Sequence, residues 1–532
     1  MSIKRFCLAL SAVLCAVAGY ASVLKGAVLE DFDTFVNLLE ETHPDPYTAF
    51  GGRPFFHKRV SEMRSGLDAM DSVSPTVLSD SLSVLTSVLC DGHTSLIRPQ
   101  NGNVADEFFM VKFRQIPEGL IVSGVERGNE RFLGSLAVGI NGMPIEEVAR
   151  RVSRVSSAEN ASGRMNLLSK WYHNRELYNR VFGSVGDSLK VEVVLPSGTK
   201  DSFSVRSRTR EEFNQTDRVN LPSKASFPKG HLEYSAVSDS VMVYRIKSIM
   251  AREDFTYQYE NGWDFYGSLE YMYRNVLNRD MPADTLTAVR ALPSFSEESR
   301  RMLEEMKKKG MSTLIIDLRG NEGGWTPIVH PFLYSMYGDS LIADQSQNDW
   351  FARRISPLYM KKIAGTLEEF NRDNGTNLDY GDFLFSDPAP EDMPLDTLRQ
   401  YFLGSLMASP EIVGQLRNQH GEPFYRPERV YVVTDGDTFS AAFHLAFYLW
   451  QMGAKIVGIT SGQAANSFME STPFTLPNTG IQGSISNSIQ VMLPPAHPYA
   501  KSLTPELSPE YSDYVRYGFD NDSELMYLID NL

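Results

Sequence analysis

The sequence predicts a multidomain α/β protein with a helical N-terminal part, a strand-rich middle part and a core of alternating strands and helices. Apolar residues recur at helical spacing within residues 27–90, as Phe32 and Phe35 illustrate. Residues 105–208 contain short β-branched runs separated by tight-turn signals. From about residue 235, buried strands such as Thr313–Asp317 alternate with amphipathic helices, which is the pattern of an α/β core.

Composition narrows the functional classes. The chain has 532 residues, enough for several domains, and 42% of them are apolar, as in ordinary globular proteins. Its formal net charge is −15, and no basic run interrupts the acidic balance. A nucleic-acid-binding surface is therefore not expected.

The first residues have the pattern of a secretory signal peptide over residues 1–21. Lys4 and Arg5 precede the apolar stretch Phe6–Ala18, and small residues suited to cleavage follow. This stretch is too short for a comfortable membrane span. We therefore expect an exported protein, periplasmic or extracellular, without a stable membrane anchor.

Cysteine usage agrees with this expectation. Of the three cysteines, Cys7 and Cys15 lie within the predicted signal, so the mature chain keeps only Cys90 and has no intramolecular disulfide. Leu14 stands where a bacterial lipoprotein signal requires a small residue, which argues against lipid anchoring. Because free cysteine is usually buried, we expect Cys90 to be a small core residue.

A serine stands between a predicted buried strand and a predicted buried helix. Val430–Val433 is β-branched and aromatic, and Ala441–Met452 is almost wholly apolar. Ser440 would lie on the first helical turn, in the positive field of the helix and near unpaired N–H groups. That position suits a nucleophile whose attack creates an oxyanion. The alternative is that Ser440 only caps the helix.

A second candidate segment, Leu314–Gly324, runs from a buried strand into a loop with three glycines. Glycine N–H groups can approach a ligand closely and stabilise a developing negative charge. The loop lacks the Gly-Lys-Ser/Thr of a phosphate-binding loop. A tight strand–helix turn without chemical function is the alternative interpretation.

A third candidate is the segment Asp91-Gly92-His93-Thr94, in which His93 could serve as a general base. Two other histidines compete for that role. His444 follows Ser440 by one turn and is expected to be a packed core residue, whereas His330 directly precedes a proline. No histidine pair has metal-site spacing, so we expect no metal and no other cofactor.

Taken in chain order, with the histidine segment first and the serine segment last, the three segments resemble the S41 family of serine peptidases. This family includes tail-specific (C-terminal processing) and tricorn-type proteases. The resemblance covers most of the mature chain apart from two inserts, near residues 253–290 and 345–425. The matching segments are Leu314–Gly324 for the signature loop, Ser440–Ala442 for the nucleophile turn, Asp91–Thr94 with Thr42–Tyr47 before it for the tricorn-type members, and Leu503–Leu507 for a variant of the Pro-Asp motif.

The resemblance also implies a domain layout. Residues 22–104 would form the helical region that carries the Asp-Gly-His-Thr motif, and residues 105–208 would form a PDZ-like domain that captures a peptide end by strand addition. Residues 209–532 would form the peptidase core, with a crotonase/ClpP-like β-α fold. Within the PDZ-like part, the polar stretch Ser156–Arg175 is predicted to be an insert.

The same resemblance indicates how the serine is activated. Tail-specific members use a lysine in a Gly-Lys-Gly turn, but the matching stretch here, Ser461–Asn466, contains none. Tricorn-type members use a histidine, which matches His93, and they orient it with polar residues that include a glutamate near the Pro-Asp-like motif. Glu506 and Asp91 are the candidates for that orienting acid.

The resemblance thus implies an exported serine endopeptidase that acts on protein or peptide substrates. Ser440 would attack the scissile carbonyl, His93 would transfer the proton, and Gly323 or Gly324 together with Ala441 would hold the oxyanion. The oligomeric state is left open, and a homo-oligomer is compatible with the sequence.

Two alternatives from other functional classes stay open. The chain could be a non-catalytic module of the same fold that binds peptides or hydrophobic small molecules. A PDZ scaffold that only tethers partners is the other alternative, although it leaves most of the chain unexplained. The aromatic residues of the first insert, Phe255 to Tyr273, fit either a substrate cap or the core of an added helical layer, and the second interpretation is preferred.

Overall fold

The computed structural model describes residues 24–99, 107–170, 174–348, 350–386 and 393–532. Their strands form three sheets on which the helices pack, so the predicted mixed α/β class is confirmed. The predicted signal peptide, residues 1–21, lies outside the described residues. Within the described part of the chain, no helix has the length and apolarity needed to cross a membrane.

The N-terminal part holds three helices and a short strand. Ser74 caps the third helix, because its Oγ accepts a hydrogen bond from the Val77 N–H at 3.2 Å. The chain leaves that helix through Cys90, whose φ is 52° and whose thiol is exposed, so the prediction of a buried Cys90 is wrong. The elements are α1 (Lys25–Thr42), α2 (Arg53–Asp68), α3 (Pro75–Ser87) and β1 (Ser95–Ile97).

Residues 107–220 form an antiparallel sheet with four helices, here named the eight-stranded unit. Its strand order is β2-β8-β7-β5-β4-β3, with β6 beside β5 and β9 beside β4. Asn141 and Gly142 have φ values of 50° and 77°, as a two-residue turn between antiparallel strands requires. The strands are β2 (Glu107–Phe109), β3 (Val111–Ile116), β4 (Gly119–Glu126), β5 (Leu136–Ile140), β6 (Met143–Pro144), β7 (Ser188–Val194), β8 (Lys200–Thr209) and β9 (Arg218–Asn220). The helices are α4 (Ile145–Val152), α5 (Ala161–Lys170), α6 (Arg175–Phe182) and α7 (Arg210–Gln215).

The rest of the chain contributes nine strands and thirteen α-helices in its described residues. The strands are β10 (Glu233–Ala236), β11 (Val241–Arg245), β12 (Thr313–Asp317), β13 (Trp350–Arg354), β14 (Phe383–Ser386), β15 (Arg429–Thr434), β16 (Lys455–Gly458), β17 (Asn466–Thr475) and β18 (Gln482–Val491). The helices are α8 (Arg252–Glu260), α9 (Tyr266–Tyr271), α10 (Thr285–Arg290), α11 (Phe295–Lys309), α12 (His330–Tyr337), α13 (Asp339–Asn348), α14 (Pro357–Lys362), α15 (Leu367–Asn374), α16 (Leu395–Ser405), α17 (Pro410–Arg417), α18 (Ala441–Gln451), α19 (Tyr511–Arg516) and α20 (Ser523–Asp530).

A central sheet of order β10-β11-β12-β15-β16 organises this core. Strands β11, β12, β15 and β16 are parallel, and β10 pairs antiparallel with β11. Helices α11, α12 and α18 share a buried apolar cluster on one face, and α20 packs against the other face. Because β12 and β15 are parallel neighbours, the loops at their carboxyl ends meet at one edge of the sheet.

A second, antiparallel sheet joins the N-terminal part to the core. Strand β18 lies between β1 and β13, β14 extends the sheet beyond β13, and β17 pairs with β18. Ser95 of β1 stands opposite Ser484 of β18, so the segment just before β1 is carried against the core. Apolar residues of α1 and α3 pack on Phe474 and Ile485, which covers one face of the hairpin.

The two inserts have different structures. Residues 253–290 form α8, α9 and α10 around their own apolar cluster, which contains Phe255, Phe265 and Tyr273. Other aromatic residues of this insert, including Tyr257 and Trp263, remain about 40% exposed. Residues 345–425 supply β13 and β14 to the antiparallel sheet, so much of this segment is part of the core architecture.

Candidate functional site

Ser440 occupies a strained turn between β15 and α18. Its φ and ψ are 51° and −127°, a conformation that non-glycine residues rarely adopt, and its side chain makes no capping hydrogen bond. Strain of this kind is held only where the surrounding structure imposes it, and it is typical of functional sites. The interpretation of Ser440 as an ordinary helix cap is therefore not supported.

The turn that carries this serine, Asp435–Ser440 (the serine turn), is fastened to Leu318–Gly324 (the glycine loop). Thr438 Oγ1 donates to the carbonyl of Leu318 at 3.2 Å, and the Phe439 N–H donates to the carbonyl of Asn321 at 3.1 Å. The Gly320 N–H donates to both carboxylate oxygens of Asp435, at 3.0 and 2.9 Å. These bonds fix the two loops as one unit.

Two glycines place the glycine loop directly against Ser440. Gly323 has a φ of 104°, and a Cβ there would lie 2.6 Å from the Cβ of Ser440. Gly324 has a φ of 147°, and a Cβ there would lie 2.0 Å from the carbonyl oxygen of Ile249. Only glycine fits both positions, because the backbone conformation and the available space each exclude a side chain.

The N–H groups near Ser440 differ in their availability. The Gly323 N–H already donates to Asn321 Oδ1 at 3.0 Å, so this predicted oxyanion donor is occupied within its own loop. Within the described residues, no hydrogen bond engages the N–H of Gly324 or of Ala441. Of the three predicted donors, these two are the ones free to meet an oxyanion.

Gln463 braces the serine turn from the opposite side. Its Oε1 accepts a hydrogen bond from the N–H of Ser440. This glutamine lies in Ser461–Asn466, the stretch in which the sequence lacks the lysine of tail-specific peptidases. Here the stretch supports the backbone of the serine turn.

His93 reaches the same region on Asp91–Thr94, the histidine loop, directly before β1. Its side chain is 10% exposed, and its ring centre lies 4.8 Å from that of Phe439, the residue before Ser440. Gly92 makes this approach possible, since a Cβ there would lie 2.4 Å from the Phe439 ring. Burial lowers the pKa of His93, and the negative charge of Asp91 opposes this shift.

A buried His–Asp pair holds the histidine loop. The side chains of His43 and Asp91 are fully buried, with His43 Nε2 3.2 Å from Asp91 Oδ2. The Asp45 N–H donates to His43 Nδ1 at 3.1 Å, which leaves Nε2 to donate to the carboxylate. Burial would raise the pKa of Asp91, but its interactions with His43 outweigh this and lower the pKa to about 2. The other oxygen of Asp91 accepts the His93 N–H at 2.8 Å.

The other predicted orienting acid lies elsewhere. Glu506 accepts hydrogen bonds from Trp450 Nε1 at 3.0 Å and from the Ile456 N–H at 2.7 Å. Its carboxylate thereby ties α18 to β16 and makes no contact with His93 within the described structure. The position of Glu506 does not support the prediction that it orients His93. Closeness to the Pro-Asp-like motif in the sequence therefore does not identify the orienting acid.

The carboxylate that does face His93 belongs to Glu159, which sequence reasoning missed. Glu159 Oε1 lies 4.0 Å from His93 Nδ1, and the Glu159 side chain is only 3% exposed. Glu159 lies just before α5, in the stretch predicted to be an insert of the middle domain. Glu159 is far from the histidine loop along the chain, and no local pattern in the sequence marks it as a buried residue.

His93 and Ser440 share two cavities but do not form a hydrogen bond in this conformation. Neither ring nitrogen of His93 has a hydrogen-bond partner in the described structure. One cavity, of about 380 Å³, lies toward the eight-stranded unit and is lined by Glu159 and Leu167. The other, of about 490 Å³, is lined by apolar side chains such as Trp325 together with polar ones such as Gln490. Catalytic contacts are often loose without substrate and tighten when it binds.

The competing histidine, His444, is buried as predicted. Its Nδ1 lies 2.7 Å from Thr326 Oγ1, and burial lowers its pKa to about 3. Donor atoms of Asp91, His93 and Glu159 lie within 4.8 Å of one another, a spacing that metal ligands also have. Both oxygens of Asp91 are already hydrogen bonded, so we assign no metal to this cluster.

Comparison with known proteins identifies relatives of this architecture. Residues 287–497 match the model of Peptidase family S41. The structure of mature CPAF is similar over 95% of this chain and 98% of its own, with 15% sequence identity and a TM-score of 0.57. Mature CPAF complexed with lactacystin is similar over 96% and 99% of the two chains, with 15% identity and a TM-score of 0.56. At such identities the likeness shows a shared fold. A search of curated protein sequences gives no match.

Proposed function

Because residues 287–497 match the model of Peptidase family S41, we propose that the chain is an exported serine endopeptidase of that family, in which Ser440 is the nucleophile and His93 the general base. The observation that carries this proposal is the strained Ser440, uncapped and apposed to Gly323 on one side and to the histidine loop on the other. Export rests on the signal-like pattern of residues 1–21.

The proposed reaction proceeds through an acyl-enzyme. Ser440 Oγ attacks the scissile carbonyl carbon while its proton passes to His93, and the carbonyl oxygen becomes an oxyanion. The N–H groups of Gly324 and Ala441 receive that oxyanion. Protonated His93 then gives its proton to the leaving nitrogen as the C–N bond breaks. Water hydrolyses the acyl-enzyme by the same proton transfers in reverse order.

The two cavities beside Ser440 suit an extended peptide that crosses the serine. The larger one presents apolar side chains, including Trp325, Tyr448 and Met492, which fit an apolar substrate side chain. The eight-stranded unit borders the other cavity and has β3 as an edge strand of its sheet. We propose that this unit acts as the PDZ-like domain and guides a peptide end by strand addition.

Active-site labelling tests the proposal. A fluorophosphonate probe should label the purified mature chain at Ser440, and peptide mapping should recover the adduct there. Ser440→Ala should abolish labelling and casein hydrolysis, and His93→Ala should reduce both by about 10⁴-fold or more, as for other members of nucleophile–base pairs. Thermal melts should show both variants folded. Labelling at another residue, or full activity of His93→Ala, would contradict the assignment.

The lack of a Ser440–His93 hydrogen bond keeps a non-catalytic binding module as the second candidate. The same experiment separates the two. A module that only binds peptides or hydrophobic small molecules would give no fluorophosphonate adduct at Ser440, and Ser440→Ala would leave its ligand affinity unchanged.

A further inference from the structure

The nitrogen of His93 that does not serve Ser440 requires a partner when the ring becomes charged. His93 Nδ1 faces Glu159 Oε1 at 4.0 Å, which leaves Nε2 for the serine. Both side chains are at least nine-tenths buried, so an imidazolium formed here would lack solvent stabilisation. A carboxylate at this position is the group best placed to stabilise that charge.

Glu159 is held by the two loops that build the site. Its Oε1 accepts the Gly92 N–H at 3.3 Å, next to His93, and its Oε2 accepts the Ala464 N–H at 2.8 Å. Ala464 follows Gln463, whose Oε1 accepts a hydrogen bond from the N–H of Ser440. One carboxylate therefore bridges the backbone beside the histidine to the backbone that braces the serine turn.

The segment around Glu159 is anchored independently of that carboxylate. Asn160 Nδ2 donates to the carbonyl of Ser461 at 3.0 Å. The Gly163 N–H in turn donates to Asn160 Oδ1 at 2.8 Å, which ties the anchor to the first turn of α5. Because these bonds do not involve Glu159, a change of its side chain should leave the docking of the segment in place.

Other ionisable groups near His93 are committed elsewhere. On the histidine loop, one carboxylate oxygen of Asp91 is hydrogen bonded to His43 and the other accepts the His93 N–H. On β17, Glu470 is paired with Arg353 at 2.8 Å. On α18, His444 bonds Thr326 and carries no negative charge. Glu159 is the remaining acid that faces the ring among the described residues.

We propose that Glu159 is the positioning residue of the peptidase, and that its carboxylate accepts the Nδ1–H of His93 and stabilises the imidazolium formed during acyl transfer. This inference rests on the proposed function. As the Oγ–C bond forms, the proton of Ser440 passes to His93 Nε2, while Nδ1 keeps its proton and donates to Glu159. When the C–N bond breaks, Nε2 gives its proton to the leaving nitrogen and the original state is restored.

The proposal makes the catalytic centre composite. The nucleophile comes from the core, the base from the N-terminal part, and the positioning acid from the eight-stranded unit. Activity therefore depends on how that unit is docked, in addition to any role it has in binding peptide.

The titration of the pair offers a specific signature. Burial raises the pKa of Glu159 to about 8, against the opposing hydrogen bond from Ala464. Burial lowers the pKa of His93, so the ring is already neutral at pH values where Glu159 still holds its proton. Since the ionised carboxylate is the form that supports imidazolium, kcat/KM should climb as pH rises through about 8.

The test compares Glu159→Gln, Glu159→Asp and the control Glu506→Gln in the full mature chain, with fluorescent casein as substrate and a fluorophosphonate as probe. Glu159→Gln should lower kcat by roughly 100-fold with little change in KM, the size expected for lost acid–base assistance. In this variant the rise of kcat/KM near pH 8 should also be absent. Glu159→Asp should recover part of the activity, and Glu506→Gln should match the wild type.

Two results would overturn the proposal: wild-type kcat in a folded Glu159→Gln variant, or a wild-type labelling rate at Ser440 that does not rise through pH 8. The second measurement uses only the wild type and holds even where the variant fails to fold. If the wild type is not labelled at Ser440 at all, it is the proposed function that fails. Labelling of the wild type with an unaffected Glu159→Gln variant would reject this inference alone.

Discussion

The serine side and the histidine side of the site are built in different ways. The serine turn and the glycine loop follow neighbouring parallel strands and are joined by several hydrogen bonds between side chains and backbone. The histidine loop precedes a three-residue strand, and the His93 ring has no hydrogen-bond partner in the described structure. Ser440, the proposed nucleophile, is thus fixed by the core, whereas His93, the proposed base, is brought to it by contacts between distant segments.

The largest expected effect comes from disturbing the fixed side. In Gly323→Ala, the new Cβ would lie 2.6 Å from Ser440 Cβ and force the serine turn to move. We expect kcat/KM to fall by roughly 100- to 1,000-fold, because small displacements of a nucleophile are costly. Steady-state kinetics on fluorescent casein measures this.

Gly320→Ala is the matched control in the same loop. Gly320 has a φ of 69°, but the nearest atom to a new Cβ is 4.0 Å away, so only the left-handed backbone is penalised, by about 1–2 kcal/mol. It should lose far less activity than Gly323→Ala. Equal losses in the two variants would show that backbone strain, and not contact with Ser440, explains the requirement for glycine.

On the histidine side, we expect a substitution to lower the folding stability first. His43→Ala removes the buried partner of Asp91 and leaves a buried carboxylate oxygen unsatisfied. The free energy of unfolding should fall by about 3 kcal/mol, and activity should fall because the histidine loop loosens. His57→Ala is the control, since His57 is 45% exposed and pairs with Glu40 at the surface. Urea unfolding that gave equal losses for both variants would contradict the role of the buried pair.

Stability should also depend on pH through Glu159. Its folded-state pKa of about 8 lies above its ordinary value of 4.5, so the folded state binds the proton more tightly than the unfolded state does. The associated stability is complete below pH 4.5 and is lost as pH rises through about 8. The wild type should therefore lose roughly 3–4 kcal/mol more than Glu159→Gln between pH 5 and pH 8. Parallel pH profiles in urea unfolding would contradict a buried, protonated Glu159.

The smallest expected effect concerns the approach to the apolar cavity. Trp263 and Tyr257, from the first insert, pack on Trp325, which lines that cavity. Trp263→Ala should raise KM for casein by about 3- to 10-fold with little change in kcat, the worth of one aromatic contact. Tyr401→Ala, at an 80% exposed aromatic residue outside the cavity lining, should leave KM unchanged. A fall in kcat instead would indicate a role in the chemical step.

Local sequence predicted the serine side well. The β-branched Val430–Val433, the turn residues after it and the apolar Ala441–Met452 fix a strand, a turn and a buried helix, and the structure has them at Arg429–Thr434 and Ala441–Gln451. The glycines of the glycine loop were likewise visible, because positive φ and close approach demand glycine within a short stretch.

The acid beside the histidine could not be predicted in the same way. Closeness to the Pro-Asp-like motif favours Glu506, yet the carboxylate of Glu506 joins α18 and β16. Glu159 lay in a polar stretch that resembled an insert, and nothing in its neighbours marks it as buried. Its burial arises only when the eight-stranded unit packs on the histidine loop and on Ala464.

The sequence by itself determined the α/β class, the position of Ser440 at a strand–helix junction and the glycine loop, because hydrophobic periodicity and backbone preference act over a few residues. Only the tertiary structure decided that the Gly323 N–H is already occupied, that Gln463 braces Ser440, and that Glu159 is the acid beside His93. These relations join segments far apart in the chain, and hydrogen bonding and burial across such distances depend on how whole layers pack.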